Sequence, residues 1–553
     1  VAVNETPGGT SSRLWAGTRW LFVVLGAGAL VLGFLGLQEF LGAEQYAHYG
    51  RRPLDVLYYD LQLFVLDSAP LGDGGVLPLR LEVARFLAPA VTLFALAETV
   101  RVLLSGEWSR WRSRTAGGHV VVVGETPLAD ALAASALADG RRVERIAAGD
   151  ELSLRSVGAA GADVIHACVD HQQGGGAPNI AAVATAVAVV EPGLVRSGPL
   201  RAYAWIDDQV LGRALAARWL SHATPDGVRL DFLVADELAA RELVRSEPLG
   251  APLMIIGLGA FGQSLLIEYA RRWRLLTGAG RLPVTLVDDA ASTLVPALLD
   301  TWDVVRDHCD VTVVDGPAPV PAANRHRVYV CYDDEQRALS TALTMIHLWP
   351  GDPGSLVVRL DRLKHHSVVF GSTAGHLLDD LRGRIRMIDT TVLACRPMVL
   401  DEDLTERLAR AVHAHYLTSQ VAKGTPMGAN ASMVEWDDLA EDARQANRGQ
   451  AAGIGAKIQA IGATVAPRVG PAEPFAFTPA ELDQLAELEH ERWCEERTAA
   501  GWTYAETRDN DAKQHPSLVE WAVLSPSERA KDREAVQNLP AILAEMALQI
   551  VRL

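Results

Sequence analysis

The apolar positions of this chain follow two regimes. Near the N-terminus they run almost unbroken, over residues 20–38 and again over 86–104. Each run approaches the ~20 residues that a helix needs to cross bilayer hydrocarbon, so the pattern predicts a two-helix transmembrane hairpin over residues 14–105. Past residue 118 short β-branched runs alternate with helical patterns, the order expected of βαβ units and a parallel sheet. Two such α/β Rossmann-like domains are predicted, over 118–247 and 248–400. Beyond them the period becomes helical, with Leu404, Leu408, Ala411 and Val412 on one face. This predicts a helical connector over 401–473 and a small, mostly α domain over 474–553. The fold class is multidomain, with residues 1–13 read as a tail and 106–117 as a basic linker.

Between the two apolar runs, residues 54–68 are apolar and aromatic but too short to cross, the pattern of a re-entrant or interfacial helix. Arg13 and Arg19 precede the first run, and Arg101, Arg110, Arg112 and Arg114 follow the second. The positive-inside rule then puts both termini in the cytoplasm of a multi-pass plasma-membrane protein, with the loop outside. A cleaved signal peptide fits less well, because residues 39–45 offer a poor small-residue cleavage site. Glu98 lies inside the second run, where a carboxylate needs a partner helix, water or Arg101 three residues on. Pro89 can kink the same helix.

Charge and cysteines narrow the function. With 68 acidic against 51 basic residues and a net charge of −17, the chain lacks the basic surplus that neutralises phosphates, which argues against a nucleic-acid partner. The five cysteines lie far apart with no CxxC pair, the usage of a reducing compartment without disulfides or a zinc knuckle.

The clearest chemistry lies in the second α/β unit. A short buried-strand pattern at 252–256 leads directly into Gly257-Leu258-Gly259-Ala260-Phe261-Gly262 and a helical run. Glycines at that spacing allow a tight turn and the approach of a pyrophosphate to a helix N-terminus. The next strand ends in Asp288, an acid suited to ribose hydroxyls, although a long helix puts it further from the glycines than usual. The predicted ligand is NAD(H) or another adenine nucleotide. The first unit keeps only Gly124 of the pattern, Pro127 removes an amide, and its second strand runs into Gly149-Asp150. Yet Cys168-Val169-Asp170 aligns with Cys331-Tyr332-Asp333 as a matching fourth-strand turn. An internal duplication is inferred, with the first copy mostly structural.

These paired units resemble tandem RCK (regulator of potassium conductance, TrkA-N-type) domains over about 118–397. Span, short helix, span and then a nucleotide fold also resembles the two-span potassium channels that carry such modules. The resemblance implies a homo-oligomer, dimer or tetramer, whose ring binds NAD-type or adenine nucleotides through Gly257, Gly259, Gly262 and Asp288, with Asp333 near the mouth. The chain departs from the channels where a TVGYG-like filter is expected, because residues 67–75 read Asp67-Ser68-Ala69-Pro70-Leu71-Gly72-Asp73-Gly74-Gly75. An acidic ring of Asp67 or Asp73 is one way to favour cations; a loop lying on the outer surface of a plain membrane anchor is the other.

At the C-terminus, Glu489-His490-Glu491-Arg492-Trp493, Gly501-Trp502, Arg508-Asp509 and His515-Pro516-Ser517-Leu518 follow in order. This resembles the ryanodine-receptor (RyR) repeat domain in its prokaryotic form. Trp493, Trp502 and Tyr504 offer aromatic faces for a base, and Arg492, Arg508 and His515 offer donors for phosphate or carboxylate. The competing reading makes the tryptophans a small core held by Arg–Asp pairs. Glu487, His490, Glu491 and Cys494 share a helical face, but one helix cannot close a tetrahedral metal site.

Together these features predict a membrane-bound, nucleotide-responsive sensor or cation-channel-like protein, with lipid and a small nucleotide as its non-protein partners. The alternative is a non-conducting membrane-anchored effector in a nucleotide-signalling or defence pathway. An enzyme is not expected, because no catalytic set can be placed beside the Gly257 turn.

Overall fold

The computed structural model describes residues 11–46, 48–65, 71–74, 76–116, 118–169, 176–189, 199–221, 228–276, 280–316, 327–346, 352, 354–361, 385–400, 402–471, 475–509 and 511–553, with side chains apart from 11–21, 73 and 100–116. It divides into two compact units, Val1–Arg112 and Ser113–Leu553.

The first unit consists of the helices Ser11–Phe40, Pro53–Leu63 and Leu79–Ala116. Among the described residues one helical window, Phe22–Phe40, is long and apolar enough to cross a membrane. The predicted second run lies inside Leu79–Ala116, of which residues 100–116 are described without side chains. That helix also continues through the stretch read as a basic linker, as far as Ala116. The reason is local: after Pro89 no proline interrupts it, and a lone Gly106 costs about 1 kcal/mol without ending a helix. Small residues let these helices approach closely. A Cβ on Gly36 would stand 2.7 Å from the Leu81 amide nitrogen, and one on Gly33 would collide with the Asp60 carboxylate. Phe22 and Phe94 stack at 3.7 Å between ring centroids. Asp60, on the short helix Pro53–Leu63, is fully buried.

The second unit holds two parallel sheets. The first comprises β1 Val120–Val123, β2 Val143–Ile146, β3 Val164–Ala167, β4 Leu200–Trp205 and β5 Val228–Leu233, in the order β2-β1-β3-β4-β5. The second comprises β6 Leu253–Ile256, β7 Leu282–Asp288, β8 Cys309–Asp315, β9 Arg327–Val330, β10 Leu356–Arg359 and β11 Ile385–Ile388, in the order β11-β10-β9-β6-β7-β8. The second order is that of the full dinucleotide fold; the first is the shorter flavodoxin-like order. Where β8 extends the second sheet, the first chain segment has only the short helix Glu151–Ser156. Cys168 therefore follows a third strand rather than the fourth. Even so, β3 and β9 each pair with the first strand of their own sheet, so the two turns do correspond in space. The central strands β1 and β6 are continuous apolar runs, buried throughout, because helices cover both faces. The helices Ala235–Ser246 and Ala260–Trp273 pack together, and Leu243, Leu265 and Leu286 belong to one core that joins the two sheets.

The connector and the C-terminal domain are not separated at residue 473. Strand Ala463–Pro467 pairs antiparallel with Leu548–Arg552, and Leu408, Trp436, Ile458, Leu485, Leu543 and Ile550 share a core. Five-residue strands flanked by helices carry too little periodicity to be seen in sequence. The helix Pro479–Ala499 begins where expected, capped by Thr478 with Glu481 completing the box.

Candidate nucleotide site and the C-terminal groove

The turn after β6 is shaped by its glycines. Gly257 has φ +91°, and a Cβ there would lie 2.7 Å from the Tyr332 amide nitrogen. Gly262 lies so close to the Gly257 carbonyl that a side chain has no room. The helix Ala260–Trp273 starts directly after Gly259. Asp288, at the end of β7, lies beside this turn despite its distance in sequence: its Oδ2 accepts from the Leu258 amide at 2.9 Å, and its Oδ1 from Ala290 at 3.1 Å. The site thus presents a helix N-terminus, a cradle that any Cβ would fill, and a carboxylate at the end of the second strand, the three elements a dinucleotide site uses.

Asp333 closes the mouth. A Cβ on Gly259 would stand 2.6 Å from its Oδ2, so its carboxylate overlies the place where a phosphate would approach. Arg359 holds it there at 2.6 Å, and the same guanidinium meets Asp361 at 2.8 Å and Asp236 at 3.2 Å. Asp236 belongs to the helix Ala235–Ser246 of the first α/β unit. Burial pushes its carboxyl up to about 6, with Arg359 opposing that shift. On the neighbouring rim Arg337 lies 4.0 Å over the Tyr332 ring and 2.8 Å from Asp289. The sequence reading missed Arg359, Arg337 and Tyr332. The signal for Arg359 was available, because it ends a buried strand pattern and is followed by Asp361.

The corresponding turn in the first unit is built differently. Thr126 accepts from the Ala129 amide and caps the helix Pro127–Ala138, while Asp150 caps Glu151–Ser156. Residues 170–175 lie outside the described residues.

In the C-terminal domain Trp493, Trp502 and Tyr504 gather around His515, whose pKa is lowered by burial and then by the nearby Arg508, while Arg492 is taken up elsewhere. Arg492 is bound to Glu489 and Glu496, within a buried cluster that includes Lys457. Trp493 packs edge-on to His515 at 4.9 Å, and the His515 Nδ1 accepts from the Ser517 amide. Arg508 is exposed. Trp502 and Tyr504 do line an open groove of about 1030 Å³, with Glu487, Glu491, Glu495 and Glu520 and, among the described residues, no lysine or arginine in its lining. Arg492 is thus held by Glu489 and Glu496 on its own helix, and the groove that Trp502 and Tyr504 line is acidic. The acids recur at i, i+4 and i+8, one helical face, and that face is the one the groove exposes. His490 is buried, bonded to the Val519 carbonyl at 2.8 Å and 3.4 Å from Asp532. Burial raises Asp532 to about 6, and His490 opposes that shift.

In the membrane-type unit, Asp67 lies outside the described residues. Asp73 ends the 3-10 turn Leu71–Asp73, its side chain not described, and Glu98 is half-buried. Arg101, the partner expected for Glu98, has no described side chain.

The fold and the turn define a tandem parallel-sheet α/β protein of Rossmann type, joined to a further C-terminal body. Residues 479–552 of that body match the RyR domain family model. Solved structures with similarity to the chain include "Crystal structure of the GsuK bound to ADP", 15% identical over 70% of this chain and 97% of that one, with a TM-score of 0.31. "GsuK channel bound to NAD" is 13% identical over 72% and 85%, with a TM-score of 0.33. "Crystal Structure of the GsuK RCK domain" is 12% identical over 52% and 76%, with a TM-score of 0.30.

Proposed function

We propose that this chain is a membrane-bound sensor that responds to an adenine nucleotide, with NAD(H) as the first candidate, bound at the turn formed by Gly257, Gly259, Gly262 and Asp288. The observation that carries the reading is this glycine cradle and its strand-end carboxylate, set at the carboxyl ends of a sheet in full dinucleotide order. The ribose falls to Asp288 and the pyrophosphate to the N-terminus of Ala260–Trp273. The phosphate enters only when Asp333 turns away, which frees one contact of Arg359. Arg359 also holds Asp236 of the first α/β unit, so binding changes the link between the two units. A ligand that prefers one arrangement of that link shifts the population toward it.

The apolar helix Phe22–Phe40 supports a membrane location. On this reading the protein is a multi-pass homo-oligomer in the plasma membrane, with two spans and both termini cytoplasmic, and it passes the nucleotide signal to a cation path rather than catalysing a reaction. One feature favours the non-conducting effector instead: the loop sequence from Asp67 to Gly75 has no TVGYG-like filter. Purified full-length protein should show NAD- or ADP-induced thermal stabilisation, and Gly259→Val should abolish the response to NAD. No stabilisation by either nucleotide refutes the sensor reading. Nucleotide-dependent cation flux in proteoliposomes separates conduction from anchoring.

A further inference from the structure

A second cleft, of about 370 Å³, lies where the first α/β unit, the second α/β unit and the helical connector meet. Arg241 and Arg245 come from Ala235–Ser246, Arg271 and Arg272 from Ala260–Trp273, Arg274 from the residue that ends that helix, and Arg410 from Leu404–Ala422. A seventh lining arginine, Arg407, is taken up by the buried Asp231 outside the cleft; against the other six guanidiniums the enclosed walls carry three carboxylates, Glu268, Glu402 and Glu545. Glu402, only 2% exposed, is shared by Arg241, Arg245 and Arg410. Glu545 is shared by Arg271 and Arg274, and Glu268 by Arg241 and Arg271. The other lining acids, Glu435 and Asp437, are exposed to solvent, where screening weakens them.

The enclosed donors are not all used. Arg245 Nη1 and Arg274 Nε are buried without a hydrogen-bond partner among the described residues. A desolvated guanidinium with an idle N–H is costly, and a surplus of such groups in one cavity is the arrangement that recognises a multiply charged anion. Leu275, Leu417 and Trp436 add apolar lining. The volume lies within the range of small-molecule sites.

We propose that this cleft binds a small molecule carrying a diphosphate group, at a site separate from the Gly257 turn. Its arginines come from three bodies, so the ligand draws those bodies together.

The test uses the full-length protein at fixed ionic strength, with inorganic pyrophosphate and ADP as probes and sulfate at equal charge as control. Pyrophosphate should stabilise the protein saturably, and Gly259→Val should leave that response intact. Arg274→Gln should weaken it tenfold or more, and Arg245→Lys, which keeps the charge but loses the fork, should weaken it less. If ADP is tighter than pyrophosphate in Gly259→Val, the ligand is a nucleoside diphosphate; equal affinity assigns the free diphosphate. The proposal falls if pyrophosphate does no better than sulfate, if Gly259→Val removes the response, or if Arg274→Gln folds and responds as the parent does. Should Arg274→Gln not fold, the parent and Gly259→Val measurements decide alone. Failure here leaves the Gly257 reading untouched, because that reading depends on a response that Gly259→Val destroys.

Discussion

The two α/β units place the same strand-turn-helix step in opposite service. At the first step Gly124 meets Thr126 and Ala129, where the second step has Gly259 and Gly262. Thr126 turns its hydroxyl to its own helix, and Ala129 is fully buried, so the step is closed as a packing element. At the second step the absence of side chains leaves a cradle, and Asp288 braces it from the next strand. The comparison teaches that the sheet does not decide whether a turn is open to a ligand. A few atoms at positions three and six of the turn do.

The strongest way to break this comparison is to give the second turn the first turn's residue. Gly262→Ala forces a methyl group against the Gly257 carbonyl, so nucleotide-induced stabilisation should disappear and the unliganded protein should lose about 1–3 kcal/mol, the usual cost of overpacking. Nucleotide titration and denaturant melts check both; an Ala variant that binds normally would show that the cradle is not what admits the ligand. Next in size is the link between the units. Burial raises the Asp236 carboxyl from 3.8 to about 6, so the folded chain binds that proton more tightly than the unfolded chain. Its contribution to stability is full below 3.8 and is lost as pH rises through about 6, at most roughly 3 kcal/mol. In Asp236→Asn this part of the pH profile should be flat, and an unchanged profile would remove Asp236 from the link. Smaller again, Thr126→Ala should cost about 1 kcal/mol through its lost cap while nucleotide binding stays the same. The smallest effect sharpens the open turn: Asp333→Asn removes a largely exposed negative charge from the phosphate path and should tighten nucleotide binding roughly two- to fivefold, measured by calorimetry.

Much of this arrangement was legible in the chain. Unbroken valines made β1 visible, glycine spacing marked the turn after β6, and Thr478 with Glu481 announced the helix Pro479–Ala499. Ion pairs between distant segments were not legible, because nothing local ties Arg359 to Asp236 or Glu402 to Arg245. The same limit explains the C-terminal domain. Arg492 and His515 were chosen for chemistry that their side chains direct inward, to Glu489 and to Ser517. The acidic face of Glu487, Glu491 and Glu495 was read only as a poor metal site. The helix Leu79–Ala116 outran its expected end because arginines suit the last turns of a helix as well as a linker.

The antiparallel pair of Ala463–Pro467 with Leu548–Arg552 bears on how the C-terminal body can be cut. A fragment beginning at residue 474 would match the family boundary closely, yet it would leave the strand Leu548–Arg552 with no neighbour on that edge. Leu548 and Ile550, both buried in the intact chain, would then be uncovered beside open amides and carbonyls. Such an edge templates pairing with another copy, so the short fragment should self-associate into strand-swapped aggregates, while one starting at residue 402 should stay monodisperse.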